Sequence, residues 1–248
     1  VTTAIDICCL YFSYPDGKNA LRGIDLRIEQ GESVGIIGPN GAGKTTLLLH
    51  LNGILQGTGE ITVFGLRIDK SNLKSARRDV GVVFQDPDDQ LFSSTVFDDV
   101  VFGPLNMGLS AEQASARTRD ALAEVGMGGF ESSVPHHLSF GEKKRVSIAT
   151  VLSMRPKILA LDEPSSNLDP RQRRNLIQLL GSLRATKLIA SHDLPLIFQL
   201  CDRTVLLNSG VIVADGTTTD IMHDRALLEA NDLEAVPTEF MNTTALQS

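Results

Sequence analysis

The segment Gly38-Pro39-Asn40-Gly41-Ala42-Gly43-Lys44-Thr45, with Thr46 behind it, has the pattern Gly, four residues, Gly, Lys, then Ser or Thr. Glycines in these places let consecutive backbone N–H groups curl around an anion with no Cβ in the way. A helix opening near Gly43 adds its positive end. Lys44 can then bridge the outer phosphates of a nucleoside triphosphate, and the Thr45 hydroxyl can hold Mg2+. A second stretch, Ile158-Leu-Ala-Leu-Asp162-Glu163, is an apolar run that ends in two carboxylates. Neighbouring strand residues point to opposite sides, so the two acids take different tasks. Asp162 is expected to hold Mg2+, directly or through water, and Glu163 to polarise an attacking water. Alone, an Asp-Glu pair reads as a solvated loop; beside a phosphate loop it predicts nucleoside triphosphate hydrolysis. A third stretch, Leu138-Ser139-Phe140-Gly141-Glu142-Lys143-Lys144-Arg145, opens a helix. Ser139 and Glu142 have capping-box spacing, and a Ser with a bare Gly at a helix start is also a second anion site.

These stretches, with Gln85 at a strand end, Ser166-Asn-Leu-Asp169, and His192 after a further strand, resemble the ATP-binding cassette family. The likeness runs to about residue 215, with six motifs in the family's order. It implies an α/β P-loop ATPase with a mostly parallel core sheet, an N-terminal antiparallel β subdomain and a helical signature subdomain. It also implies ATP with Mg2+ as ligands, bound between two cassettes, each signature (Ser139, Gly141, Glu142) completing the other's phosphate site. The expected second cassette is an identical copy. By the same resemblance Tyr14 stacks on adenine, with Tyr11 the competing candidate, and Gln85 touches Mg2+ and the water while sensing a membrane partner. His192 bridges the γ-phosphate to the opposite subunit, and Asp169 lies at the subunit interface. Phe140 departs from the family pattern, which has a glycine there.

The acidic segment Asp86-Pro-Asp88-Asp89-Gln-Leu91-Phe92, followed by Thr95 to Leu105, resembles the cobalt and nickel branch of the energy-coupling-factor importers. Vitamin importers of that group share much of it. This likeness implies a transmembrane coupling subunit and a substrate-binding membrane subunit, with the cassettes on the cytoplasmic face of the membrane. Asp86, Asp88, Asp89, Asp98 and Asp99 are then expected to help dock a basic helix, with Leu91 and Phe92 as apolar anchors. The rival reading is a cassette ATPase on a soluble assembly scaffold. A chromosome-type cassette is disfavoured, because the interval between Lys44 and Leu138 leaves no room for a long coiled coil. His136 and His137 lack a third ligand and are expected to be loop residues rather than a metal site.

The elements that must position these groups follow from the pattern. Ala4–Leu10 and Leu21–Ile28 flank Tyr14-Pro-Asp-Gly17, the signal of an antiparallel hairpin. Strands are predicted at Ser33–Gly38, Gly59–Val63, Val80–Phe84, Lys157–Leu161, Lys187–Ala190 and Arg203–Leu207. Helices are expected over Gly43–Ile54, Ser110–Glu124, the signature to Met154, Arg171–Leu183 and Leu194–Leu200. Apolar strands alternating with helices predict a parallel sheet covered on both faces. The cassette domain is placed at 1–215, with its helical subdomain at about 86–155. Residues 216–248 are read as an extension with one helix near Thr219–Ala230, frayed beyond Pro237.

The chain has 248 residues with 23 basic and 30 acidic side chains, a formal net charge of −7. An acidic chain lacks the basic face that phosphate neutralisation on duplex DNA requires, so no nucleic-acid partner is expected. No apolar run approaches the ~18 residues of a membrane span, and the start lacks the charged-then-apolar pattern of a signal peptide. Three cysteines, Cys8, Cys9 and Cys201, form neither a disulfide framework nor a zinc spacing and are expected to be buried thiols.

Overall fold

The structure, a computed structural model, describes residues 2–234. The fraying expected beyond Pro237 lies outside that range. In chain order, β1 (Thr3–Ser13) and β2 (Asn19–Glu29) form the hairpin signalled by Tyr14–Gly17. β3 (Ser33–Ile37) runs through the phosphate loop into α1 (Lys44–His50). β4 (Thr58–Val63) and β5 (Leu66–Arg67) rejoin the first hairpin, and α2 (Leu73–Asp79) leads into β6 (Val80–Val83). Then come α3 (Val96–Asn106), α4 (Ala111–Glu124) and α5 (Phe140–Leu152). β7 (Ile158–Asp162), α6 (Pro170–Ser182), β8 (Thr186–Ala190), α7 (Leu194–Leu200) and β9 (Arg203–Asn208) alternate as the pattern predicts. β10 (Val211–Thr217), α8 (Thr218–His223) and α9 (Arg225–Glu229) complete the described chain.

Two sheets result. β2-β1-β4-β5 is antiparallel, and β10-β9-β3-β8-β7-β6 is parallel except for β10 at its edge. The central strands alternate cleanly between two hydrophobic clusters. Val34, Ile36, Ile158, Ala160, Val205 and Leu207 face α1 and the antiparallel sheet. Ile37, Leu159, Leu161 and Leu206 face the helices on the other side. A period of two with both faces apolar is what a parallel sheet between two layers needs.

The helices start where their caps dictate. Ser110 and Ser139 each form a complete capping box, with Gln113 and Glu142. Asp169 caps α6 ahead of Pro170, its carboxylate accepting the Arg171 and Gln172 N–H groups at 2.8 Å each. Near the end of the described chain the expected single helix is two. Asp224 breaks the run and caps α9, accepting the Leu227 N–H at 2.9 Å. Ile221, Met222, Leu228 and Leu233 bury into the same cluster as the central sheet, so this segment packs against the cassette core.

β10 is absent from the pattern-based reading, although Asn208-Ser209-Gly210 is a turn signal. Ser209 and Gly210 both have positive φ, which a tight hairpin needs. The thiols also differ from expectation: Cys201 is buried, whereas Cys8 and Cys9 are exposed. Cys9 has φ +50° in a stretch where the β1 register shifts against both β2 and β4, so an irregularity within the sheet turns this pair outward. Among the described residues no helix is long and apolar enough to cross a membrane.

Candidate active site

The phosphate loop is built by glycines with little choice. Gly38 has φ +148°, and a Cβ there would overlap the Leu207 carbonyl oxygen. Gly43 has φ +110° at the entry to α1, and its Cβ would press on the Ala20 carbonyl. The loop opens a cleft of about 560 Å3 at the C-terminal ends of β3, β8 and β7, the edge at which doubly wound sheets take ligands. Asn40, Gly41, Ala42, Gly43, Lys44, Thr45 and Thr46 all line it, as do Tyr14, Gln85, Asp162, Glu163 and His192.

Lys44 is nearly buried, and its Nζ donates to the Gly38 and Pro39 carbonyls at 2.7 and 3.2 Å. Burial lowers its pKa, opposed by the carboxylates of Glu163 and Asp162. Thr45 Oγ1 donates to Asp162 Oδ2 at 2.6 Å, tying the loop to the end of β7. Burial raises the Asp162 carboxyl, partly offset by that hydrogen bond. Asp162 Oδ1 is buried and has no partner. An orphaned carboxylate oxygen beside a hydroxyl, with the Gln85 carboxamide lining the same cleft, is an oxygen donor set that suits Mg2+.

Glu163 is turned away from Asp162 by a left-handed backbone, φ +42°. For a residue with a Cβ this costs about 1–3 kcal/mol, so the surroundings must impose it. Its N–H donates to the Ala190 carbonyl at 2.8 Å. Its carbonyl accepts from Ser166 N, Ser166 Oγ and Lys144 Nζ at 3.2, 2.9 and 3.2 Å. The carboxylate, nearly buried, accepts from Ser191 Oγ at 3.0 Å and from the His192 N–H at 3.1 Å. His192 Nδ1 lies 2.8 Å from Glu163 Oε2, while most of the imidazole stays exposed. In this state His192 is engaged with Glu163 of its own chain.

Tyr14, not Tyr11, reaches the cleft. Its hydroxyl pairs with Thr46 Oγ1 at 3.0 Å, and Phe12 meets its ring edge-on at 5.0 Å. Tyr11 is half exposed and covers Gly23. The His192 loop is pinned to α6 by Arg173, whose guanidinium pairs with both Asp193 oxygens at 2.6 and 2.7 Å. Burial alone would raise the Asp193 carboxyl; the guanidinium, the Leu196 N–H and the Ser165 hydroxyl outweigh it and hold it below the usual range.

The signature start is already filled by its own side chains. Ser139 N and Oγ both donate to Glu142 Oε2, at 2.8 and 2.7 Å, which holds that carboxyl below its ordinary pKa. Gly141 is buried, and a Cβ there would overlap the Gln172 carboxamide. A side chain there would require the Gln172 carboxamide to swing aside. Asp169 is exposed on the neighbouring loop. His136 and His137 are exposed in a 3-10 turn at Pro135–His137, and no group of metal-binding side chains occurs among the described residues.

Of the five acidic residues expected to dock a partner, Asp86, Asp88, Asp89 and Asp98 are exposed and one is not. Asp99 is buried and accepts the Phe92 and Ser93 N–H groups at 3.0 and 2.9 Å. Asp88 pairs with Lys143 at 2.7 Å, and Asp98 bonds the capping Thr95 hydroxyl. Leu91 enters the core. Of the expected anchors only Phe92 is exposed, edge-to-face with Phe102 at 5.4 Å. Both line a groove of about 780 Å3 whose opposite wall carries Lys74, Arg77 and Arg78.

A phosphate loop, two carboxylates with different partners at the next strand end but one, and a helical layer with its own capped helix are the arrangement of an ATP-binding cassette. The chain belongs to the ABC transporter family, whose profile matches residues 21–166. It is an ATPase subunit of a transporter. An energy-coupling factor transporter ATP-binding protein, EcfA, of Methanothermobacter thermautotrophicus is 49% identical, covering 92% of this chain and 76% of that protein. Among solved structures, cbiO1 from Clostridium perfringens, described as part of the ABC transporter complex cbiONQ, is 35% identical. It matches with TM-score 0.81 over 98% of this chain and 100% of that one. A dimeric ATP-binding cassette in a post-hydrolysis state with ADP and Pi is 26% identical, with TM-score 0.79 over 86% and 98% of the two chains.

Proposed function

We propose that this cassette drives an energy-coupling-factor importer, with cobalt or nickel ions as cargo, as an identical pair on the cytoplasmic face of the membrane. The observation that carries the reading is the groove behind Gln85, lined by the exposed Phe92 and Phe102. It sits where a moving partner could be felt at the site. Gln90 bolts the two together: its Oε1 accepts the Phe84 N–H at 3.1 Å, and its Nε2 donates to Ser147 O and Thr150 Oγ1 at 2.8 and 2.7 Å. With Phe92 and Phe102 exposed in the groove and the exposed Asp86, Asp88 and Asp89 in the segment leading to it, the fitting occupant is a helix of the transmembrane coupling subunit with an apolar face and basic side chains. The similarity to an EcfA protein and to cbiO1 supports the importer reading.

In the site, Thr45, Asp162 and Gln85 would hold Mg2+, which would supply charge neutralisation at the phosphates. Lys44 leaves the Gly38 and Pro39 carbonyls for the β- and γ-phosphates, and the loop N–H groups follow the chain of anions. Tyr14 stacks on the adenine. Glu163, freed from His192 and Ser191, orients water in line with the γ-phosphate, and His192 turns to that phosphate at the subunit boundary beside Asp169. Ser139 and Gly141 of each copy complete the other's site, and opening and closing of the pair moves the membrane partner.

Capture of the tagged chain from detergent-solubilised membranes of its source cell tests this, with partners identified by mass. Two or more small apolar membrane subunits are expected, and recovery with soluble proteins only would overturn the importer in favour of the scaffold ATPase. In the same assay Phe102→Asp, at a half-exposed position, should leave ATP turnover of the isolated chain within about twofold. Membrane-subunit recovery should fall about tenfold or more, the size expected for a buried aromatic anchor. Unchanged recovery would remove the groove from the interface.

A further inference from the structure

Lys144 is the largest fully buried side chain of α5, 1% exposed, with its ammonium inside the molecule. A buried lysine is stable only if its donors are met. Here three backbone carbonyls meet them, from segments far apart in sequence. Nζ lies 2.5 Å from Gln85 O, 3.2 Å from Glu163 O and 3.5 Å from Phe84 O. No carboxylate is in direct contact with it, so this is a hub of hydrogen bonds rather than an ion pair. The Phe140 ring lies beneath it, 5.9 Å from centroid to Nζ. The aromatic that departs from the family pattern thus faces the cation, at the outer limit for such a contact.

We propose that Lys144 is a positioning residue for hydrolysis, joining the signature helix of one cassette to the water-handling groups of the same cassette. The inference rests on the proposed roles of Glu163 and Gln85. Glu163 holds a strained backbone, φ +42°, and its carbonyl orientation sets where its carboxylate points. Ser166 supplies two donors to that carbonyl from the next turn of chain, but Lys144 supplies the one that comes from another layer. By also gripping Gln85 O, the same ammonium fixes the distance between the two residues expected to hold the water. α5 begins four residues earlier, within the signature, and a second tie, Lys143 to Asp88 at 2.7 Å, joins the helix to the Gln85 loop. Displacement of the signature helix is therefore delivered to the Glu163 and Gln85 backbones as a shift of their shared donor, without touching the phosphate loop.

Steady-state ATPase assays and ATP titration calorimetry on the full chain test this with Lys144→Met, which keeps length and removes every donor, and Lys144→Gln, which restores two. Lys144→Met should lower kcat about tenfold or more, with KM and the ATP Kd within about twofold, because no phosphate contact is lost. Lys144→Gln should regain turnover to within about threefold of the parent. A kcat within twofold of the parent for Lys144→Met, a Kd that rises in step with the loss of kcat, or Lys144→Gln no better than Lys144→Met overturns the proposal. If Lys144→Met does not fold, Lys144→Ala, which removes every donor and leaves room for water, takes its place: kcat lowered about tenfold at unchanged Kd supports the proposal, and kcat within twofold of the parent overturns it. Glu163→Gln assayed beside them separates the two readings. Residual turnover there removes the role of Glu163, whereas an inactive Glu163→Gln with an unaffected Lys144→Met removes only that of Lys144.

Discussion

Glu163→Gln is expected to lower ATP turnover by a factor of about 100 to 10,000, the range for losing a positioned general base. ATP binding should stay within about threefold, and the variant should accumulate as an ATP-bound dimer. The amide is isosteric, so the backbone at φ +42° and its carbonyl donors are unaltered. Ser191 Oγ and the His192 N–H can still find an oxygen acceptor. What disappears is the negative charge that takes a proton from water. Rapid-mixing hydrolysis and size-exclusion chromatography with ATP check both halves. Substantial turnover, or a monomer at saturating ATP, contradicts the assignment.

The opposite phenotype is expected at the other end of the cleft. Lys44→Met should weaken ATP binding about thirtyfold or more and take turnover below detection. One charge-assisted hydrogen bond is worth about 1.5–3 kcal/mol, and Lys44 is the sole ammonium of the phosphate loop itself. Its Nζ rests on Gly38 O and Pro39 O. The variant leaves those carbonyls facing the open cleft, where water reaches them, so thermal stability should change little. Titration calorimetry and a melting curve separate the outcomes. Retained affinity would show that the loop N–H groups suffice, and a collapsed melting temperature would make Lys44 structural.

The phosphate loop and the carboxylate pair were legible from sequence because their local geometry is dictated by residue type. Gly38 and Gly43 admit no side chain, and Ile158–Asp162 can only be an inner strand. Helix starts were legible for the same reason, as at Ser110 and Ser139. Within the acidic segment the inward turn of Asp99 was not legible, because charge says nothing of direction. Asp99 turns inward to bond two N–H groups, and Leu91 goes with it into the core. The Glu163–His192 contact was hidden because it depends on an unusual φ and on a loop pinned by Arg173 across the fold. Lys144 did leave a signal. It falls on one helical stripe with Ile148 and Val151, the stripe that is buried. A lysine in that stripe asks for partners that only the folded chain reveals.

The capping box at the signature has a meaning for traffic between cassettes. Glu142 spends the Ser139 N–H and hydroxyl on its own carboxylate, so the helix start that one copy offers to the other arrives with a plug in it. A free phosphate drifting past brings nothing to dislodge that plug. An anion already clamped on a neighbouring loop, presented at fixed distance and with charge to spare, can push it aside. On the proposed pairing of two cassettes, the signature would then work as a one-key lock, passing over loose anions and yielding to a phosphate delivered by the other copy.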